Sequence, residues 1–162
     1  MSDVNLMTAA VASNPADEVA QLVLADAITE RTGDYAAAVR EAKMIAVRTK
    51  IAEFVAHLDA ATVANYDRMG YTFTPPTHRA DYISAKWCRI VRFEKRADGT
   101  EYGGSVVAFV CLQDNHTKNM GYVTVGGVYK PAGWKGPAKH ARGSVFDAEY
   151  TFAGAYGVAY LR

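Results

Sequence analysis

The sequence predicts an α+β protein: N-terminal helices followed by a small antiparallel β-sheet. Three observations predict it. Apolar residues recur at helical spacing as far as about residue 60. From residue 86 onward they alternate, or run continuously, in short stretches separated by Gly, Asp and Asn. Charge divides along the same line: residues 1–75 hold 6 Lys/Arg against 10 Asp/Glu, a net −4, and residues 76–162 hold 12 against 7, a net +5. A basic half of this kind is suited to an anionic partner, or to attraction by the acidic half.

The 162 residues are half apolar and 22% charged. That suffices for a packed core and argues against disorder. No apolar run reaches the ~18–20 residues of a membrane span, so no membrane partner is expected. Residues 1–12 lack the basic start of a signal peptide. Cys88 and Cys111 cannot build a disulfide framework and are expected as separate thiols in a reducing cytosol.

The first strong helix signal is Asn14-Pro15-Ala16-Asp17. Asn14 can cap free N–H groups, Pro15 suits the first helical position, and Asp17 and Glu18 complement the positive end of the dipole. Val19, Leu22, Val23 and Ala27 form the expected buried stripe, and Gly33 the stop. Asp34 restarts the chain as a cap. A longer helix follows to about Ala60, with Met44, Val47, Ile51, Phe54 or Val55, and Leu58 on one face. Residues 4–12 suggest a short leading helix. Asn14-Pro15, Asp17, Leu22-Val23, Ala25-Asp26, Ile28, Glu30-Arg31 and Gly33-Asp34 resemble the bacterial repeat-companion domain, a short helical module without an established activity. Leu24 and Ala27 replace its usual aromatic residues, and Thr32 is inserted before Gly33.

Gly70, Pro75 and Pro76 mark a boundary over residues 65–80. The chain is therefore read as a helical segment, 1–64, and a sheet domain, 65–162. Tyr66, Tyr71 and Phe73 are too aromatic for a free linker and are expected against the body of the protein. In the sheet domain, residues 86–95 alternate: Trp87, Arg89, Val91 and Phe93 on one face, Cys88, Ile90 and Arg92 on the other. Asp98-Gly99 is a turn signal. Residues 104–112 read as a central strand, 114–119 as a second turn, 122–129 as a third strand with a bulge or tight turn at Gly126-Gly127, and 157–162 as a last short strand.

Between these lies a basic, Trp-containing loop over residues 128–143, with a short helix expected at 137–142. Lys130, Lys135, Lys139 and Arg142 are its permanent cations. The pattern suits DNA or RNA: Tyr129 and Trp134 stack on bases while the cations, with His140, meet phosphates. Arg89, Arg92, Lys95 and Arg96 are candidates to extend the patch. The alternative is structural, with Trp134 anchoring the loop and lysine stems covering apolar surface. Residues 128–146, with Ala155-Tyr156-Gly157, Tyr160-Leu161-Arg162, Asn65-Tyr66-Asp67 and Gly70-Tyr71-Thr72, resemble small proteins encoded by tailed bacteriophages. That group has no assigned activity. The resemblance implies a phage accessory protein in the host-cell cytoplasm.

Catalytic signals are sparse. His57, His78, His116 and His140 form no metal-binding pair, no glycine-rich phosphate motif is present, and no cofactor or metal is expected. His57 reads as a partly buried helix residue and His116 as solvated. The leading expectation is a non-enzymatic nucleic-acid binder. The second is a protein-interaction module, virion-associated or directed at a host protein, with the acidic helices as its surface. The third is a small hydrolase using His140.

Overall fold

A computed structural model describes Thr8, Val11 and residues 18–160. The architecture is α+β, with two helices followed by a five-stranded antiparallel sheet. The chain forms two compact units, Met1–Lys50 and Ile51–Arg162. The division falls inside a helix rather than at residue 64, because that helix contributes apolar residues to both units.

In the first unit, helix α1 spans Glu18–Thr32 and α2 begins at Tyr35. Gly33, with φ +74°, takes the left-handed conformation that ends α1. Asp34 restarts the chain as expected: its Oδ1 accepts the Ala37 N–H at 2.9 Å. The expected stripe of α1 is corrected. Val19, Leu22 and Val23 are exposed, whereas Leu24, Ala25 and Ile28 are buried with Ala38, Ala42 and Ala46 of α2. The small alanines, one turn apart, leave room for the bulkier Leu24 and Ile28. The Asn14 cap lies outside the described residues. So does the leading helix at 4–12, save Thr8 and Val11, which are helical.

The second unit begins with residues 51–69 of α2, which spans Tyr35–Met69 in all. Ile51, Phe54 and Leu58 are fully buried, as the stripe predicts, with Phe54 rather than Val55 inward; of the stripe's residues in the first unit, Val47 is buried and Met44 half-buried. The Phe54 ring lies 5.2 Å from Tyr150 and 6.0 Å from Phe152. α2 does not stop near Ala60. It ends at Gly70, where Tyr71 N–H bonds to Tyr66 C=O and Gly70 N–H to Asp67 C=O, both at 3.1 Å, in a Schellman cap. Thr62, Ala64 and Asn65 continue the helix because nothing before Gly70 breaks it. Tyr71 and Phe73 are exposed and pack with Tyr66 and each other, at 5.1–5.5 Å between ring centres.

Strand order is β1-β2-β3-β6-β7, with β1 Thr77–Tyr82, β2 Trp87–Lys95, β3 Glu101–Cys111, β6 Gly127–Gly133 and β7 Gly136–Ser144. β2 alternates as expected, and the Asp98-Gly99 turn closes with Arg96 N–H on Thr100 C=O at 2.8 Å. The residues expected as a turn at 114–119 instead contain β4, Asn115–Thr117, paired with β5, Gly121–Val123. The expected strand 122–129 is thus two strands, broken at Gly126. β8, Ala153–Gly154, pairs with β9, Gly157–Val158, which is shorter than the expected last strand.

Each sheet face buries its own residues. Cys88, Ile90, Ala108, Val110 and Val128 are buried on one face. α2 meets that face, where Asp59 Oδ1 accepts the His78 backbone N–H and the ring Nδ1–H, both at 2.8 Å. On the other face, Trp87, Phe109, Cys111 and Tyr129 pack with Val123 of β5. No helix among the described residues is long and apolar enough to cross a membrane.

Candidate nucleic-acid interface

The expected basic loop is a β-hairpin. β6 and β7 run antiparallel with Pro131 opposite Pro137 and Gly133 opposite Gly136, so Trp134 and Lys135 form a two-residue tip. Proline removes a ladder donor, which a strand tolerates at irregular or edge positions. The pairing shifts register around both prolines, and β7 is the sheet's edge strand. The helix expected at 137–142 is therefore corrected: those residues are strand, because cross-strand partners on β6 satisfy the backbone there.

Trp134 is 49% exposed at the tip. The Arg89 guanidinium carbon lies 4.6 Å from its ring centre, and Arg89 Nη1 donates to the Trp134 carbonyl at 3.4 Å. Arg89 is itself held by Asp81, its cross-strand partner on β1, through Nε at 2.7 Å. The chain Asp81–Arg89–Trp134 thus sets the indole on the face of β2 and β3 that carries Val91, Phe93 and Gly104. Two further arginine–aromatic stacks occur nearby in sequence: Arg79 over Phe93 at 5.2 Å and Arg96 over Tyr102 at 5.4 Å.

The structure separates the sequence candidates into two groups. Trp134, Lys135, Lys139 and His140 are exposed on the hairpin. Tyr129 is 4% exposed, with Trp87 edge-on at 5.4 Å, and has almost no ring surface to offer a base. Burial, and then the neighbouring Cys111, raise its phenol pKa. Lys130 is turned to the Val158 carbonyl at 3.2 Å and the Tyr160 ring. Arg142 is half-buried, with Nε and Nη1 enclosed and lacking hydrogen-bond partners. Of the strand cations, Arg89 joins the hairpin tip, while Arg92 projects from the opposite side of β2 toward Glu94 and Ala155.

Sequence reasoning missed Asp81, Arg79 and Tyr102. The usable signal was period-2 alternation on β1 and β2, but the register that pairs Asp81 with Arg89 comes only from the sheet. His140 is exposed, and among the described residues none is in hydrogen-bond contact with its ring. His57 donates from Nε2 to Ala153 C=O at 3.2 Å, consistent with a partly buried helix residue, and His116 is exposed. No family model matches this chain, and neither a curated protein nor a solved structure matches it.

Proposed function

We propose that this chain is a non-enzymatic binder of single-stranded nucleic acid, acting through the tip and exposed cations of the β6–β7 hairpin. The supporting observation is Trp134: a half-exposed indole at a two-residue tip, oriented by an arginine that is itself fixed by Asp81. A pre-oriented indole stacks on any unpaired base, and exposed Lys135 and Lys139 supply sequence-independent attraction to phosphates. The resemblance to small phage-encoded proteins supports reading it as a phage accessory protein of the host-cell cytoplasm.

The test is a titration of labelled single-stranded DNA and RNA at two salt concentrations. Trp134→Ala is expected to weaken binding by ~1–3 kcal/mol with an unchanged salt slope. Lys135→Gln and Lys139→Gln are each expected to flatten the log–log slope by about 0.7. Absence of binding at low salt by folded protein eliminates the proposal. It would favour the second reading, a protein-interaction module, which exposed Val19, Leu22 and Val23 on α1 support.

A further inference from the structure

β3 and β6 are paired at only two positions, Phe109 with Tyr129 and Val110 with Val128. Beyond them the strands part, and Pro131 has no N–H with which to continue the ladder. A pocket of about 360 Å³ lies in this fork, lined by Arg92 and Glu94 of β2, Ser105 of β3, Lys130 and Pro131 of β6, and Tyr156. It faces away from Trp134. The indole lies against Gly104, and the next residue, Ser105, projects to the opposite face beside its partner Arg92.

The pocket presents two permanent cations and one carboxylate. The Arg92 side chain is only 17% exposed, and Nη1 donates to the Ala155 carbonyl at 3.5 Å. Glu94 Oε1 is 3.0 Å from Arg92 Nε, close enough for charge attraction. The Nε–H is nevertheless buried without an aligned acceptor. Lys130 gives one hydrogen to the Val158 carbonyl, and its Nζ lies 3.4 Å from the Tyr160 ring centre. Both cations are thus held by carbonyls of the same C-terminal segment, Arg92 also standing beside the Glu94 carboxylate. α2 fixes that segment in turn: Thr62 Oγ1 donates to Ala155 C=O at 3.4 Å, and Asn65 Nδ2 to the Tyr156 hydroxyl at 3.2 Å. The Tyr156 ring stands 75% exposed at the pocket's edge.

We propose that this fork binds a nucleoside monophosphate. Arg92 and Lys130 take the phosphate, for which a guanidinium and an ammonium pre-oriented by backbone carbonyls are suited. Glu94 accepts from a sugar hydroxyl, and the Tyr156 ring supplies a stacking surface for the base. The volume lies at the lower end of the ~300–1,000 Å³ range of small-ligand pockets, which selects a single nucleotide over a dinucleotide. The same phosphomonoester occurs free or at the 5′ end of a nucleic-acid strand.

The full chain is titrated calorimetrically with adenosine 5′-monophosphate, ribose 5-phosphate and adenosine. Short oligonucleotides with and without a 5′-phosphate form a second arm. Adenosine is expected to bind about tenfold or more weakly than the monophosphate. Arg92→Gln and Lys130→Gln are expected to cause a similar loss, with Lys130→Gln as the variant that leaves the interior intact. Tyr156→Ala is expected to weaken the nucleotide but not ribose 5-phosphate. Trp134→Ala is expected to leave binding of adenosine 5′-monophosphate and ribose 5-phosphate unchanged while weakening the oligonucleotides, so failure here is distinguishable from failure of the hairpin reading. Preference for the 5′-phosphorylated oligonucleotide over its unphosphorylated counterpart identifies a strand end as the source of the phosphomonoester. No binding of any phosphomonoester, equal binding of adenosine, or binding unaffected by Lys130→Gln overturns the proposal.

Discussion

Replacing Asp59 by Ala should destabilise the sheet unit. One oxygen, Asp59 Oδ1, accepts both the backbone N–H and the ring Nδ1–H of His78 at 2.8 Å. A carboxylate only accepts, so the ring proton sits on Nδ1, and Nε2 is left as a buried acceptor without a partner. Asp59→Ala orphans two donors, each costing about 1–3 kcal/mol if fully desolvated. The Asp59 side chain is 37% exposed, so water can enter the vacated space and holds the expected total near ~2–3 kcal/mol. Asp59→Asn keeps an acceptor and is expected to cost about 1 kcal/mol. Urea unfolding at pH 7.5, with an unchanged m-value, measures both. Equal stability of the two variants, or an Ala variant indistinguishable from wild type, would refute this account.

The same pair predicts a pH dependence. Burial, the largest effect, lowers the His78 pKa despite the opposing Asp59 contact. The unfolded state therefore binds more protons just below about pH 6.5, and stability falls as pH drops through that value. His78 contributes a slope of at most about 1.4 kcal/mol per pH unit, lost in His78→Gln. A wild-type and variant pair with parallel pH profiles between 7 and 5.5 would contradict it.

Three further outcomes are expected. Phe54→Ala removes a fully buried ring packed on Tyr150 and Phe152, and chemical denaturation should register a loss of ~3–5 kcal/mol. Gly157→Ala places a methyl 2.8 Å from Val107 Cβ at φ +85°, and thermal unfolding should show a loss of about 2 kcal/mol or more. Gly154→Ala, with nothing within 4 Å, is the control and should be near neutral. Cys88 and Cys111 are buried and not joined in a disulfide, and Cys111 lies directly opposite Trp87, so the two thiols point to different faces. Melting should be insensitive to reductant. Thiol-reactive dye should label native protein slowly, burial having raised the Cys111 pKa.

The sequence by itself determined what depends on neighbours along the chain. Gly33 as a helix stop, Asp34 as a cap, the inward stripe Val47–Ile51–Phe54–Leu58, the alternation of β2 and the Asp98-Gly99 turn are all local or periodic signals. Tertiary structure decided whatever depends on a partner remote in sequence. α1 is apolar on more than one side, and the buried cluster with Val11 and the alanine face of α2 selects Leu24 and Ile28 over Leu22 and Val23. Proline and glycine in residues 128–143 suggest a loop locally, yet β6 and β7 pair because register shifts accommodate the two prolines. Tyr129 and Trp134 are alike as sequence signals. The sheet buries the first beneath Trp87 and exposes the second at a hairpin tip, where Arg89 from a strand 45 residues earlier orients it. The fork pocket likewise depends on the segment around Tyr156 being fixed by α2 beside a strand whose pairing with β3 has ended before Pro131, a juxtaposition that no local propensity encodes.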